Sequence, residues 1–190
     1  MKRDGELIQI VDRAMAEAER RSGSWLACRV GCYQCCLGAF AITALDAERL
    51  REGLGELERR EPERAARVRN RAMAAVERMR CEYPPDPVGS VLAIEGEAGD
   101  DPCPALDPES GACDLYAARP ITCRTFGPAV SFGGAPVGVC ELCYQDATDE
   151  EIAGCHVEVD LELESELLRE LERGGAGSET LVAFALTGAS

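Results

Sequence analysis

"ACRVGCYQCCLG", residues 27–38, sets four cysteines, Cys28, Cys32, Cys35 and Cys36, within nine positions. Thiols this dense are metal ligands, halves of disulfides, or small buried hydrophobes, and the rest of the chain decides among the three. There are 11 Cys and 1 His in 190 residues, and an odd number of thiols cannot close wholly into internal disulfides. The opening stretch "MKRDGELIQIVDRAMAEAERR" has charges scattered through it and lacks the apolar run of a secretory signal. "LVAFALTGA" (181–189), the longest apolar candidate for a membrane span, falls far short of the ~20 residues required. A cytoplasmic protein follows, in a compartment that keeps thiols reduced. There, cysteine density points to metal or redox chemistry rather than to disulfide staples.

The charge narrows the partners. Thirty-five acidic residues against 20 basic ones give a net charge of −15, and Lys2 is the only lysine. Such a chain is repelled by a phosphate backbone, so nucleic acid is not expected as a partner, and neither is a membrane. A protein or a small molecule remains. The segment 146–173 is strongly negative and reads as a solvated surface.

Hydrophobic spacing predicts a mixed fold. Leu7, Val11, Met15 and Ala18 share one face of a helix over 4–21. Thr43, with Asp46 three residues on, opens a second helix striped by Leu45, Leu50, Leu54 and Leu57, which Gly53 and Gly55 weaken. Pro62 suits the first turn of a third, running to about Arg80 with Ala65, Val68, Ala72, Ala75, Val76 and Met79 inward. "CEYPPDPVGS" (81–90) breaks it. "SVLAIEG" (90–96) then reads as a short strand, and "AVSFGGAPVGVC" (129–140) as a hairpin around Gly133–Gly134. Val157 to Leu163 alternates like a strand, whereas Leu163, Leu167, Leu168 and Leu171 fit a helix. The expected fold class is α+β: one compact, helical and loop-rich domain over 1–173, with a small β-hairpin, organised around cysteine-ligated metal. Residues 174–190 are expected to form a partly disordered tail.

Nine cysteines fall in three clusters, 28–36, 103–123 and 140–143. Two residues between two cysteines let both sulfurs face one centre, and the chain has Cys32-x2-Cys35 and Cys140-x2-Cys143. Four thiolates saturate one zinc ion or one [4Fe–4S] cluster, so nine suffice for two sites. Adjacent Cys35 and Cys36 point apart and are not expected to share one ion. Cys81 and Cys155 stand alone and read as buried apolar residues. Arg29, Arg119 and Arg124 lie near cysteines, where guanidinium groups can neutralise clustered thiolates. His156, beside Cys155, reads as a packing or surface residue rather than a base.

"CRVGCYQCC", then "FAITALDAERL", then "CPALDPESGACDLYAARPITCRTF" resemble the CxxxCxxCC cysteine-cluster family, whose members are described as chelating zinc or iron. The resemblance covers about residues 24–143, and its second block, C-P-x-L…G-x-C-x-x-Y-x-x-R-P-x-x-C-R, is the more specific half. It implies Cys28, Cys32, Cys35, Cys36, Cys103, Cys113 and Cys123 as metal ligands, with Cys140 or Cys143 as the late member. It also implies Tyr116, Arg119, Pro120 and Arg124 as the signature's other members, with Tyr116, Arg119 and Arg124 beside the cofactor.

Three functional readings stand side by side. An iron–sulfur protein, [4Fe–4S], in electron transfer or a cluster-dependent reaction is favoured by Cys103-Pro104, the near absence of histidine and the surplus of thiols. A structural zinc-binding interaction protein without catalysis explains the Cys-x2-Cys pairs equally well. An S-adenosylmethionine-dependent, protein methyltransferase-like activity comes third, because flagellin lysine methyltransferases are similar to this domain. Cys28-x3-Cys32-x2-Cys35 also has radical S-adenosylmethionine spacing. Long helices follow it rather than alternating strands and helices, and Gln34 stands where that superfamily has an aromatic. No catalytic residue is assignable from the sequence.

Overall fold

A computed structural model describes residues 2–29, 31–94, 98–174 and 179–189. In chain order the helices are α1 (Lys2–Ser22), α2 (Ala44–Arg60), α3 (Pro62–Glu82), α4 (Pro87–Leu92), α5 (Ile121–Thr125), α6 (Asp149–Cys155), α7 (Glu162–Arg173) and α8 (Val182–Thr187). The strands are β1 (Leu37–Ala39), β2 (Ala41–Thr43), β3 (Ala98–Pro102), β4 (Val130–Phe132), β5 (Ala135–Pro136), β6 (Val157–Glu158) and β7 (Glu179–Leu181). The fold class is α+β, with helices predominating over small sheets of two or three strands. Among the described residues no helix is long and apolar enough to cross a membrane.

The chain divides into two compact units, each assembled from two separate stretches. The first joins Met1–Cys35 to Ile121–Glu170, and the second joins Cys36–Pro120 to Leu171–Ser190.

In the first unit, α1 buries Leu7, Val11, Met15 and Ala18, the stripe expected from their spacing, and packs against α5, α6 and β6. Gly133 and Gly134 both adopt positive φ, which gives the type I′ twist a tight hairpin needs. β4 and β5 therefore pair antiparallel, with Ser131 opposite Pro136, while β6 adds in parallel to the other edge of β4. The Glu158 carboxylate ties this sheet together: it accepts from the Ser131 hydroxyl and from the Gly134 amide. Thr148 and Glu151 form a complete capping box that starts α6.

The second unit is built on α2, α3 and α8, which pack on one another. Thr43 caps α2 by accepting from the Asp46 amide, and Pro62 occupies the first turn of α3, both as expected. Gly53 does not interrupt α2; a Cβ there would stand 2.4 Å from the Ala118 Cβ, so the glycine admits a neighbouring turn. Two antiparallel pairs, β1–β3 and β2–β7, complete the unit.

Two expectations fail here. Of the stretch 90–96 read as a strand, residues 90–92 instead end α4, because the Asp86 side chain accepts from the Gly89 amide and Pro87 supplies a preset first turn; residues 95 and 96 lie outside the described residues. Within the supposed tail, Glu179–Leu181 pairs with β2, and every residue from Val182 to Leu186 is buried in the core. Its apolar side chains remove more surface from water in this unit than a tail could. Residues 175–178 and 190 lie outside the described residues.

Candidate metal centre

Two distant stretches of the first unit bring cysteines together. Cys28 and Cys32 flank a turn in which the Cys32 amide donates to the Arg29 carbonyl at 2.9 Å. Cys140 and Cys143 flank another, closed by the Cys143 amide on the Cys140 carbonyl at 2.8 Å. Within that second turn the Leu142 amide donates to the Cys140 sulfur.

The stretches that carry the two turns are fastened through Tyr144. Tyr144, at φ 54°, donates its amide to the Trp25 carbonyl at 2.8 Å. Its phenol accepts from the Ala129 amide (2.9 Å) and meets the Ser22 hydroxyl at 2.6 Å. Since Ser22 spends its one proton on the Ala18 carbonyl, the phenol is the donor in that pair, and every member of the buried relay is satisfied. Finally, the Cys140 amide donates to the Gly127 carbonyl at 3.3 Å. Gly127 sits at φ +118°, and a Cβ there would come within 2.8 Å of Cys28 Sγ. Only glycine lets the backbone approach that sulfur.

Burial first, then Cys143 through charge and a thiol hydrogen bond, then Cys32 and Cys140, push the Cys28 thiol up to about 12. The Cys140 thiol is raised chiefly by burial, with Cys143 and Cys32 adding to it and the Leu142 amide opposing. Cys140 and Cys143 are themselves buried, in a cluster with Ala129, Tyr144 and Cys155, against which Trp25 and Leu26 pack. Of the four thiols, Cys140 and Cys143 are buried, Cys32 is half-buried and Cys28 is exposed, and a cation would balance the charge of their thiolates. Among the described residues no three Cys, His, Asp or Glu donors already stand as a metal-holding group. The all-sulfur chemistry of these four suits zinc or iron.

In the second unit Cys36, Cys103 and Cys113 come near one another. The Cys103 amide donates to the Cys36 carbonyl at 2.7 Å, next to the Leu37–Pro102 pairing of β1 with β3. Leu106 donates to the Cys103 carbonyl and forms a bridge with Cys113. Asp114, the residue after Cys113, is clamped by two cations of α3: Arg64 Nε and Arg71 Nη2 each reach one carboxylate oxygen at 2.5 Å. Arg71 Nε also donates to the Pro104 carbonyl at 2.8 Å, so one guanidinium holds the residues following both Cys103 and Cys113.

The family model "CxxCxxCC: Putative zinc- or iron-chelating domain" matches residues 27–141. The chain belongs to that family. No curated protein and no solved structure matches it. The match takes in eight of the nine clustered cysteines and stops two residues short of Cys143. This member of the CxxCxxCC family has three residues, not two, between its first two cysteines.

The family signature's other residues have protein partners. The Arg119 guanidinium lies 3.6 Å over the ring of exposed Tyr116 and donates to its carbonyl at 3.1 Å. In the first unit the Arg124 side chain is buried and pairs with Asp12 on α1 at 2.9 Å. Cys35, in the 3-10 turn Gln34–Cys36, and Cys123, on α5, are both half-buried. Cys155 is buried as expected, with its thiol directed at the Arg21 carbonyl. Cys81, expected to be buried, is exposed on α3. Sequence reasoning missed Tyr144, Gly127 and Asp114. Only Asp114, lodged between Cys113 and the signature tyrosine, carried a signal.

Proposed function

We propose that this CxxCxxCC protein carries an iron–sulfur centre, [4Fe–4S], in which Cys28, Cys32, Cys140 and Cys143 are the thiolate ligands. The observation that supports it is the gathering of Cys28, Cys32, Cys140 and Cys143 in one unit, where the other three all act on the Cys28 thiol. The cluster, when bound, supplies one-electron chemistry. What this chain supplies is a set of four sulfurs, an amide from Leu142 that withdraws charge from the Cys140 sulfur, and apolar cover from Trp25 and Leu26. Iron is preferred to zinc because the chain has 1 His against 11 Cys, and thiols remain for a further centre. Cys36, Cys103 and Cys113, all in the second unit, are the proposed ligands of that further centre. Electron transfer to a protein or small-molecule partner, in the reducing cytoplasm, is the role that fits this chemistry.

The test is anaerobic purification from cells followed by assays for iron, acid-labile sulfide and zinc. Brown protein with iron and sulfide in comparable amounts, lost on Cys28→Ser, is the expected result. Colourless protein with stoichiometric zinc instead establishes the structural zinc reading, which rests on the same four sulfurs.

A further inference from the structure

The second unit contains a cavity of about 300 Å3, at the lower end of the usual range for small-molecule pockets. Its walls are β1, the C-terminal half of α3, β3 and the start of α8. Ala39, Phe40, Met79 and Val182 make its body apolar. Its charged members are Glu82, Asp100 and Asp101 against Arg78 alone, and Arg78 already pairs with Asp101 at 3.4 Å. Negative charge therefore remains on Glu82 and Asp100. The Tyr83 phenol donates to Glu82, and that hydrogen bond, together with the charges of Glu82 and Asp101, keeps it a neutral ring and donor.

We propose that this cavity binds a small organic cation: an ammonium group attached to a compact apolar body. Each part of the cavity has a matching part of the ligand. The apolar walls take a ring or short chain out of water. The ammonium lies among Glu82 and Asp100, and Phe40 and Tyr83 in the same lining are aromatic residues of the kind that attract a cation. An anionic ligand meets the same carboxylates as repulsion, and a neutral ligand gains only the walls. Cys103 is part of the lining, so a molecule seated there borders one of the proposed metal ligands. The binding itself does not depend on metal.

The test is calorimetric titration of the full chain, as purified, with phenethylammonium, 2-phenylethanol and phenylacetate, which share one ring. Saturable binding of the ammonium at one site, with the alcohol about tenfold weaker and the carboxylate absent, is expected. The exposed rim variant Glu82→Gln/Asp100→Asn should bring the ammonium down to the alcohol's affinity and leave the alcohol unchanged. Ala39→Trp, which fills the cavity, should abolish both while circular dichroism and metal content stay as in the parent. Equal binding of ammonium and alcohol, binding that survives Ala39→Trp, or no saturable binding overturns the inference. Because metal content is measured on the same samples, failure of the metal reading shows separately.

Discussion

The Cys143 thiol helps to push the Cys28 thiol up, the last of the clustered cysteines acting on the first. Cys143→Ser should accordingly strip the first unit's centre as thoroughly as Cys28→Ser does, although the family match ends before residue 143. Elemental analysis reads it out. Cys81→Ser, at an exposed position on α3, should keep full metal content. Equal loss in Cys81→Ser and Cys143→Ser would falsify the ligand set.

Gly127→Ala tests the close approach rather than the ligands. The left-handed backbone and the 2.8 Å distance from the added methyl to Cys28 Sγ together should cost roughly 1–3 kcal/mol in chemical denaturation. Bound metal should leave faster to a chelator. Gly154→Ala serves as the control: it lies on α6 with nothing within 4 Å of its Cβ, and it should be neutral to mildly stabilising.

Asp114→Ala removes the carboxylate shared by Arg64 and Arg71 and leaves two guanidinium groups at a half-buried site. A loss of about 3 kcal/mol is expected, the lower end for orphaning a buried charge. Arg71→Lys keeps the charge but cannot hold Asp114 and the Pro104 carbonyl with one planar fork, so it should fall between the two. Urea titrations of the three proteins give the order.

Acid should loosen the hairpin that precedes Cys140. The Ser131 hydroxyl and the Gly134 amide hold the Glu158 carboxyl below the usual carboxylate range. A depressed value in the folded state means stabilisation that is complete above the ordinary carboxylate range and lost as pH falls through it. Glu158→Gln should flatten the acid limb of the stability profile and speed amide exchange at Gly134 to the same extent at neutral pH. An unchanged acid limb removes Glu158 from this role.

Much of the helical framework was legible because its signals are local. Thr43 and Asp46, Pro62, and the Leu7–Val11–Met15–Ala18 stripe each announce themselves within one or two turns, and so does the Gly133–Gly134 hairpin. Residues 90–92 misled because Val91 favours strands, whereas the Asp86 cap and Pro87 decide the backbone. "LVAFALTGA" sits near the end of the sequence and follows glycines, which suggested a tail; its apolar content was the better guide. Gly127 could not have been found, since its need for glycine comes from a sulfur ninety-nine positions away. Nor does spacing reveal that Cys28 and Cys32 meet Cys140 and Cys143. That partnership is set by Tyr144 reaching Trp25 and Ser22.

Each unit consists of one early and one late stretch of chain. During synthesis on the ribosome, Cys28 and Cys32 therefore emerge long before Cys140 and Cys143 exist, and the helices of the second unit come out before β7 and α8 can cover them. Neither half can mature in order of translation, and a nascent chain spends that interval with thiols open to oxidants and stray ions. The proposed four-sulfur centre therefore cannot take its metal until Cys143 has left the ribosome.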